Sequence, residues 1–347
     1  MITVSLCMIV KNEESVLSRC LDSIKDLVEE IIIVDTGSTD STKSIAAKYT
    51  DKVYDFEWIS DFSAARNFSF SKATCDYIYI ADADEYLDDA GRNEFLKLKE
   101  CMVPEIEIVQ MHYNTVGFDT VLNIQSEYRP KLFKRQREFT WIDPVHETVR
   151  IEPVVFDSDV VVTHAPESLH SGRDFSIFQK AIERDGRLSD RLSRMYAIEL
   201  MRNADISDFE AAQSYFTELH DVAPNTESGR IAACVLCRYY RMSGNSVALL
   251  KYAMSDAVSG FSSEVCYDVG RVFYESGAYA DAYTWGCNAH LNASPIIDIH
   301  SSGDEALRLM IDSLVAMEDD SEEAKTLIAE LNDELENWSM PVEDTYL

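Results

Sequence analysis

Between residues 3 and 81, short apolar runs alternate with stretches whose apolar residues recur every three or four positions. Thr3 to Val10 is an apolar run consistent with a central strand. Asn12 stands where it can cap the following helix, with Glu13 and Glu14 in a first turn that favours acids. Leu17, Cys20, Leu21, Ile24 and Leu27 mark that helix's buried stripe. Glu30 to Asp35 is a second strand, and it runs into the turn-rich segment Thr36 to Thr42. That segment opens a helix carrying Ile45, Ala46 and Tyr49. Lys52 to Phe56 is a third short strand, Asp61 to Asn67 begins another helix, and Tyr77 to Ala81 is a fourth strand, aromatic and β-branched. Such alternation predicts an α/β unit on a mostly parallel, doubly wound sheet. After Glu85 the strands Glu105 to Asn114, Arg129 to Phe133 and Val160 to Thr163 are separated by longer loops, so the sheet is expected to become mixed.

From Arg173 onward strand-like alternation disappears, and Ala, Leu, Tyr and Met recur at helical spacing. Gly270, Val272, Phe273, Gly277, Tyr279, Ala282, Ala289 and Pro295 follow the tetratricopeptide pattern, with one residue of drift at the proline. Phe209, Ala212, Phe216 and Pro224 fit the same template earlier. Ala212 and Ala282 lie 70 residues apart, close to twice a period of about 34 residues. A degenerate repeat with Tyr239, Tyr240 and Gly244 falls between them, and helices over Ala306–Ala316 and Ala324–Leu335 finish the stack. The expected division is therefore an α/β domain over 1–172 and an all-α, tetratricopeptide-like domain over 173–347. Stacks of this kind make concave surfaces that bind peptides or pair subunits.

Composition narrows the function classes. Acidic residues outnumber basic ones 62 to 31 in 347 residues, which argues against binding a nucleic-acid backbone. Met1 to Val10 lacks a basic leader and a cleavage site, and no stretch is apolar enough to span a bilayer. Eight scattered cysteines read as buried free thiols of a reducing, cytoplasmic setting. Cys234 and Cys237 have CxxC spacing but sit in an apolar helical stretch with no second pair, so they read as helix core.

Lys11-Asn-Glu-Glu14 replaces a glycine-rich dinucleotide turn after the first strand. Phosphate-loop, nucleophile-elbow and His-Glu-x-x-His sequences are also missing. The strand ends instead present Asn12 and Glu13, then Asp35, then Asp82, Asp84 and Glu85. Open α/β sheets bind ligands at that edge. Three carboxylates in four residues suit a hard divalent cation with a diphosphate, or else an acidic turn.

The order Val4 to Glu13, Ile33-Val-Asp-Thr-Gly-Ser-Thr-Asp40, Ala65-Arg-Asn67 and Asp82-Ala-Asp-Glu85 resembles the family 2 inverting glycosyltransferases of the GT-A fold. The most similar subgroup couples that domain to tetratricopeptide repeats and includes bacteriocin-peptide glycosyltransferases. The resemblance covers roughly residues 1 to 170 and implies a UDP-sugar donor with Mn²⁺ or Mg²⁺. It implies that Ile9, Val10, Asn12 and Glu13 line the nucleoside pocket, that Asp35 accepts from the base and that Arg66 reaches the base or diphosphate. Asp82 is implied at the ribose, and Asp84 at the metal as the last acid of an Asp-x-Asp motif. His164, after Val161-Val-Thr, matches a later metal ligand. His170 and Arg173 follow in a loop that can reach the diphosphate.

Inversion needs a general base on the face opposite the leaving group. The family's usual Glu-Asp pair is replaced by Trp141-Ile-Asp-Pro-Val-His-Glu147, so Glu147 or His146 is the base candidate, one orienting the other, with Asp143 behind them. Glu147 is expected to gain basicity from partial burial, and a thiol acceptor would ask little of the base. Trp141 can stack on the sugar or belong to the core, and Glu85 has no assigned role. The expected acceptor is a peptide or protein side chain (Ser/Thr or Cys), with the helical domain binding it or forming a homodimer. A polysaccharide or lipid-linked acceptor, a nucleotidyltransferase and a non-catalytic repeat scaffold are the competing readings.

Overall fold

A computed structural model describes residues 1–115, 126–149, 153–165 and 171–339. They form two compact units, one ending at residue 165 and one beginning at Ser171. In the first, β1 (Val4–Val10), β2 (Glu30–Asp35), β3 (Val53–Asp55) and β4 (Tyr77–Ile80) alternate with α1 (Leu17–Ile24), α2 (Thr42–Ala46) and α3 (Phe62–Phe70). There follow β5 (Glu85–Tyr86), α4 (Asp89–Cys101), β6 (Ile108–Thr115), β7 (Ser126–Lys134), β8 (Trp141–Ile142), β9 (Thr148–Val149) and β10 (Val155–His164). The main sheet has the order β3-β2-β1-β4-β7-β6-β10-β5, while β8 and β9 form a separate hairpin. Strands β3, β2, β1 and β4 are parallel, and β7 lies antiparallel to both β4 and β6. The mixed half is thus as the sequence pattern predicts.

The central strand β1 shows why its run is apolar on both faces. Leu6, Met8 and Val10 pack with Leu17, Leu21 and Ile24 of α1 and Phe95 of α4. Cys7, one step out of phase, packs with Ile32, Val34 and Ile78, under Phe68 and Phe70 of α3. Each fully buried aliphatic side chain contributes about 1.5–3 kcal/mol, so β1 and its two layers fix the strand ends where polar residues collect.

Asn12 does not cap α1, which begins at Leu17 with no side-chain cap. Asn12 is left-handed (φ 57°), a region its short amide tolerates. Its Oδ1 accepts from Thr39 N–H at 2.8 Å, and Ser38 Oγ accepts from Asn12 N–H at 2.9 Å. Thr42 Oγ1 accepts from Glu13 N–H, and Glu14 Oε2 from Ser41 N–H. The two loops satisfy each other's backbone, which outcompetes the local cap. Strands β5, β8 and β9 are two residues each and leave no periodicity to read.

The second unit is all helical: α5 (Ser171–Asp185), α6 (Asp190–Asn203), α7 (Ile206–Val222), α8 (Glu227–Met242), α9 (Ser246–Ala257), α10 (Ser263–Glu275), α11 (Tyr279–Cys287), α12 (Asp304–Ala316) and α13 (Glu322–Asn337). Helices α6, α8, α10 and α12 pack on one another in a row. Each of the last three also packs against the helix before and the helix after it, as stacked helical hairpins do. Ala212, Ala282 and Ala289 are buried at the crossings. Gly244 and Gly277 are left-handed (φ 72° and 82°) just past α8 and α10. Asp268 of α10 receives Arg238 Nε at 2.8 Å and Arg241 Nε at 2.6 Å, tying α8 to α10. Cys234 and Cys237 are buried in α8, where burial pushes both thiols well up, so their spacing reflects helix packing. Among the described residues, no helix is long and apolar enough to cross a membrane.

Helix α8 enters its stack through a gap that admits only glycine. A Cβ on Gly229 would lie 2.1 Å from the Ala223 carbonyl oxygen and 2.9 Å from a backbone carbon of Pro224. Glycine-to-alanine changes inside helices usually stabilise. Gly229→Ala is expected to do the opposite, costing about 1–3 kcal/mol by overpacking, and urea unfolding followed by far-UV circular dichroism checks it.

Candidate active site

The polar ends of β1, β2 and β4 lie side by side because those strands are neighbours in register, Val10 opposite Asp35 and Cys7 opposite Ile80. Asp35 is buried. Its Oδ2 accepts from Gly37 N–H at 3.1 Å and Ser38 N–H at 3.0 Å. Its Oδ1 is buried with no partner among the described residues. A buried acceptor left open is costly, and a nucleobase N–H is the kind of donor that would close it. The Val10 carbonyl accepts from both Thr36 N–H and Thr36 Oγ1, which leaves Val10 shaping the pocket floor. Ile9 is half-buried beside it, with Asn12 and Glu13 at the rim.

The acidic loop after β4 rests on a buried ion pair. Glu85 Oε1 meets Lys131 Nζ of β7 at 2.5 Å, with the two side chains 1% and 5% exposed. Glu85 Oε2 accepts from Asp82 N–H at 3.2 Å. Burial pushes the Glu85 carboxyl up against the pull of Lys131. Glu85, which had no role from sequence, is thus the internal support of the loop. Asp82 stands at the cleft edge, with half of its side chain open to solvent. The surrounding chain opposes its ionisation, but Arg66, Lys131, His164 and Arg129 together hold its carboxyl down to about 2.

Strand β5 brings the distant metal candidate to this loop. It pairs antiparallel with β10, placing His164 opposite Glu85. As a result His164 Nε2 lies 3.1 Å from Asp84 Oδ2, across 80 residues of chain. The Tyr113 ring lies against the imidazole, with centroids 5.2 Å apart, and the Arg129 guanidinium stands 3.8 Å from the centroid of the same ring. Among the described residues no group of three or more His, Cys, Asp or Glu side chains converges. Asp84 and His164 are therefore two donors for a divalent cation, a number that suits a metal whose other ligands are phosphates and water.

Helix α3 supplies the opposite wall. Asp61 caps it by accepting from Ala64 N–H at 3.0 Å. Arg66 Nε donates to Glu147 Oε1 at 2.5 Å, and its Nη2 is 3.5 Å from Asp82 Oδ1. Burial disfavours the Arg66 charge, and Glu147 and Asp82 more than restore it. The next residue, Asn67, donates to the Trp141 carbonyl at 2.9 Å and accepts from Trp141 N–H at 2.8 Å. It pins the β8–β9 hairpin that carries Asp143, His146 and Glu147. Asp143 and His146 are left-handed (φ 72° and 50°), which closes that loop tightly.

Arg66, Asp82, Asp84, Glu147 and His164 are thus brought together. Glu147 is oriented by Arg66 rather than only by His146. Trp141 is not open for stacking: it is 6% exposed and packs edge-on against Phe70 and Phe133. His170 lies outside the described residues, as does the Arg173 side chain, whose backbone belongs to α5. Lys131, Arg129 and Asn67 were missed as site residues. Lys131 carried a signal, since a lysine inside an apolar strand needs a buried carboxylate.

Residues 5–143 match Glycosyl transferase family 2. The amino-terminal part of this chain is a glycosyl transferase family 2 domain. A TPR repeat-containing protein of Synechococcus elongatus is 52% identical over 87 residues, which are 25% of this chain and 22% of that protein. The prophage-derived glycosyltransferase SunS of Bacillus subtilis is 37% identical over 98 residues, 28% of this chain and 23% of SunS. The chain thus spans under a quarter of these two curated relatives. A solved structure of glucosyl-3-phosphoglycerate synthase from Mycobacterium tuberculosis, in complex with Mn²⁺, UDP-glucose and phosphoglyceric acid, is 17% identical. It covers 54% of this chain and 81% of its own with a TM-score of 0.42, a likeness too loose to carry an argument.

Lys131→Met strands the Glu85 charge in the family 2 domain and is expected to cost about 3–5 kcal/mol. Adding Glu85→Gln should recover much of that loss. Hydrogen exchange at β4 and β7 amides during a urea titration measures both.

Proposed function

We propose that this chain is an inverting, metal-dependent glycosyltransferase that moves a sugar from a nucleotide-sugar, a UDP-sugar, to a peptide or protein side chain. The observation that carries the reading is the meeting of Asp84 with His164, 3.1 Å apart, on a loop shared with the Arg66–Asp82 pair. A Mn²⁺ or Mg²⁺ held by Asp84 and His164 supplies charge stabilisation to a leaving diphosphate when bound. Asp35 Oδ1 takes a base N–H, Asp82 takes ribose hydroxyls, and Arg66 faces the diphosphate. Ile9, Val10, Asn12 and Glu13 shape the nucleoside end.

Glu147 receives the acceptor's proton. A fixed carboxylate is what a base needs, and Arg66 holds one of its oxygens in place. His146 precedes it on the same tight loop, where it steers the acceptor. The helical stack, read as a domain over 173–347 beside a catalytic domain over 1–172, binds the acceptor or a second copy of the chain. That stack favours a peptide over a lipid-linked acceptor, because a peptide can lie along its row of helices.

Thermal unfolding of the full chain with UDP is expected to rise only when Mn²⁺ is present, and Asp84→Ala should erase that increment. Glu147→Gln should keep the donor-induced shift while turnover falls about 10²–10⁴-fold, read as a hexose increment on candidate peptides by mass spectrometry. A chain that binds no nucleoside diphosphate with or without metal would sink the reading.

A further inference from the structure

We infer that Arg19, an exposed residue of α1, is a positioning residue that sets the separation of Asp84 and His164 and so tunes the affinity of that pair for a divalent cation. The inference rests on the reading of Asp84 and His164 as metal donors. Arg19 lies outside every motif noted in the sequence, and its side chain is on the solvent side of α1.

The edge of α1 grips the acidic loop from behind at three successive points. Cys20 Sγ donates to the Asp82 carbonyl at 3.5 Å, Arg19 Nη2 donates to the Asp84 carbonyl at 3.1 Å, and Ser23 Oγ accepts from Leu87 N–H at 3.1 Å. The carbonyls of Asp82 and Asp84 are thereby committed to α1. The same Arg19 nitrogen also donates to the Ala165 carbonyl at 3.2 Å, one residue beyond His164. Its guanidinium rests over the Tyr86 ring, 5.0 Å from the centroid.

This nitrogen therefore joins the two chain segments that carry the metal donors. Without it, they are held by a strand pairing of two residues and by one further bond, Ala165 N–H to the Asp84 carbonyl at 3.1 Å. A ladder that short is weak in water. Metal sites respond strongly to the groups that orient their ligands, with losses of about 10–100-fold in affinity when such groups are removed. Because Arg19 is exposed and outside the apolar core, its loss should spare the fold.

The test is Mn²⁺ binding to the full-length protein in the presence of UDP, followed by electron paramagnetic resonance of free Mn²⁺. Arg19→Ala is expected to weaken Mn²⁺ about 10–100-fold, with the thermal midpoint of the metal-free protein unchanged. Turnover should be restored at saturating Mn²⁺, so the defect falls on the metal requirement and not on kcat. Arg19→Gln, which keeps the stem over Tyr86 and one amide donor, should lie between the two. Tyr86→Leu should weaken Mn²⁺ in the same direction and by less. Unchanged Mn²⁺ affinity in Arg19→Ala, or a turnover loss that excess Mn²⁺ does not repair, overturns the inference. If the parent protein itself binds no Mn²⁺ with UDP, the failure belongs to the proposed function instead.

Discussion

A carboxylate deep in a protein survives as an ion only if a cation is buried with it, and Glu85 has Lys131 at 2.5 Å. That pair is the constraint on which the catalytic edge of the family 2 domain depends. It draws β7 against the acidic loop, turns the Glu85 backbone into the first rung of β5, and so brings β10 and His164 alongside. Replacing such a pair with apolar side chains can be neutral or better for stability. Its retention is better explained by what it places: with Glu85 facing inward to Lys131, Asp82 and Asp84 are left to the cleft.

Electrostatics in the cleft follow from the same arrangement. The chain is strongly acidic overall, yet Arg66, Arg129 and Lys131 are concentrated around Asp82 and hold it ionised to about pH 2. A cluster of cations inside an acidic protein gives a diphosphate a local well that the net charge would not suggest. The single free acceptor at Asp35 Oδ1 gives the opposite end of the same cleft a demand for a neutral donor. Charge is thus sorted along the strand ends, and that sorting orients a nucleotide.

How much of this was legible in the sequence depended on length and on distance. The run from Thr3 to Val10 and the helical stripe at Leu17–Ile24 are long enough for periodicity to reveal, and both stand where the pattern put them. The stack of helices was readable because Ala212 and Ala282 repeat at a fixed interval. Asn12 misled because capping is a local preference, and Ser38 and Thr39, 26 and 27 residues away, compete for it. Strands of two residues have no pattern at all, so β5 and the β8–β9 hairpin were invisible. With them went the support role of Glu85 and the alignment of Asn67 with Trp141.

Adjacent residues on one turn of α3 do two different jobs. Arg66 grips the charge of Glu147, and Asn67 grips the backbone of the loop that carries it. The hairpin and the helix therefore behave as one mechanical part. A rotation of α3 that improved one contact would drag the other, and neither can drift alone over evolutionary time. Diversification of the acceptor end is steered toward the free tip of the hairpin and away from its root, much as a hinged tool changes its jaw but keeps its pin.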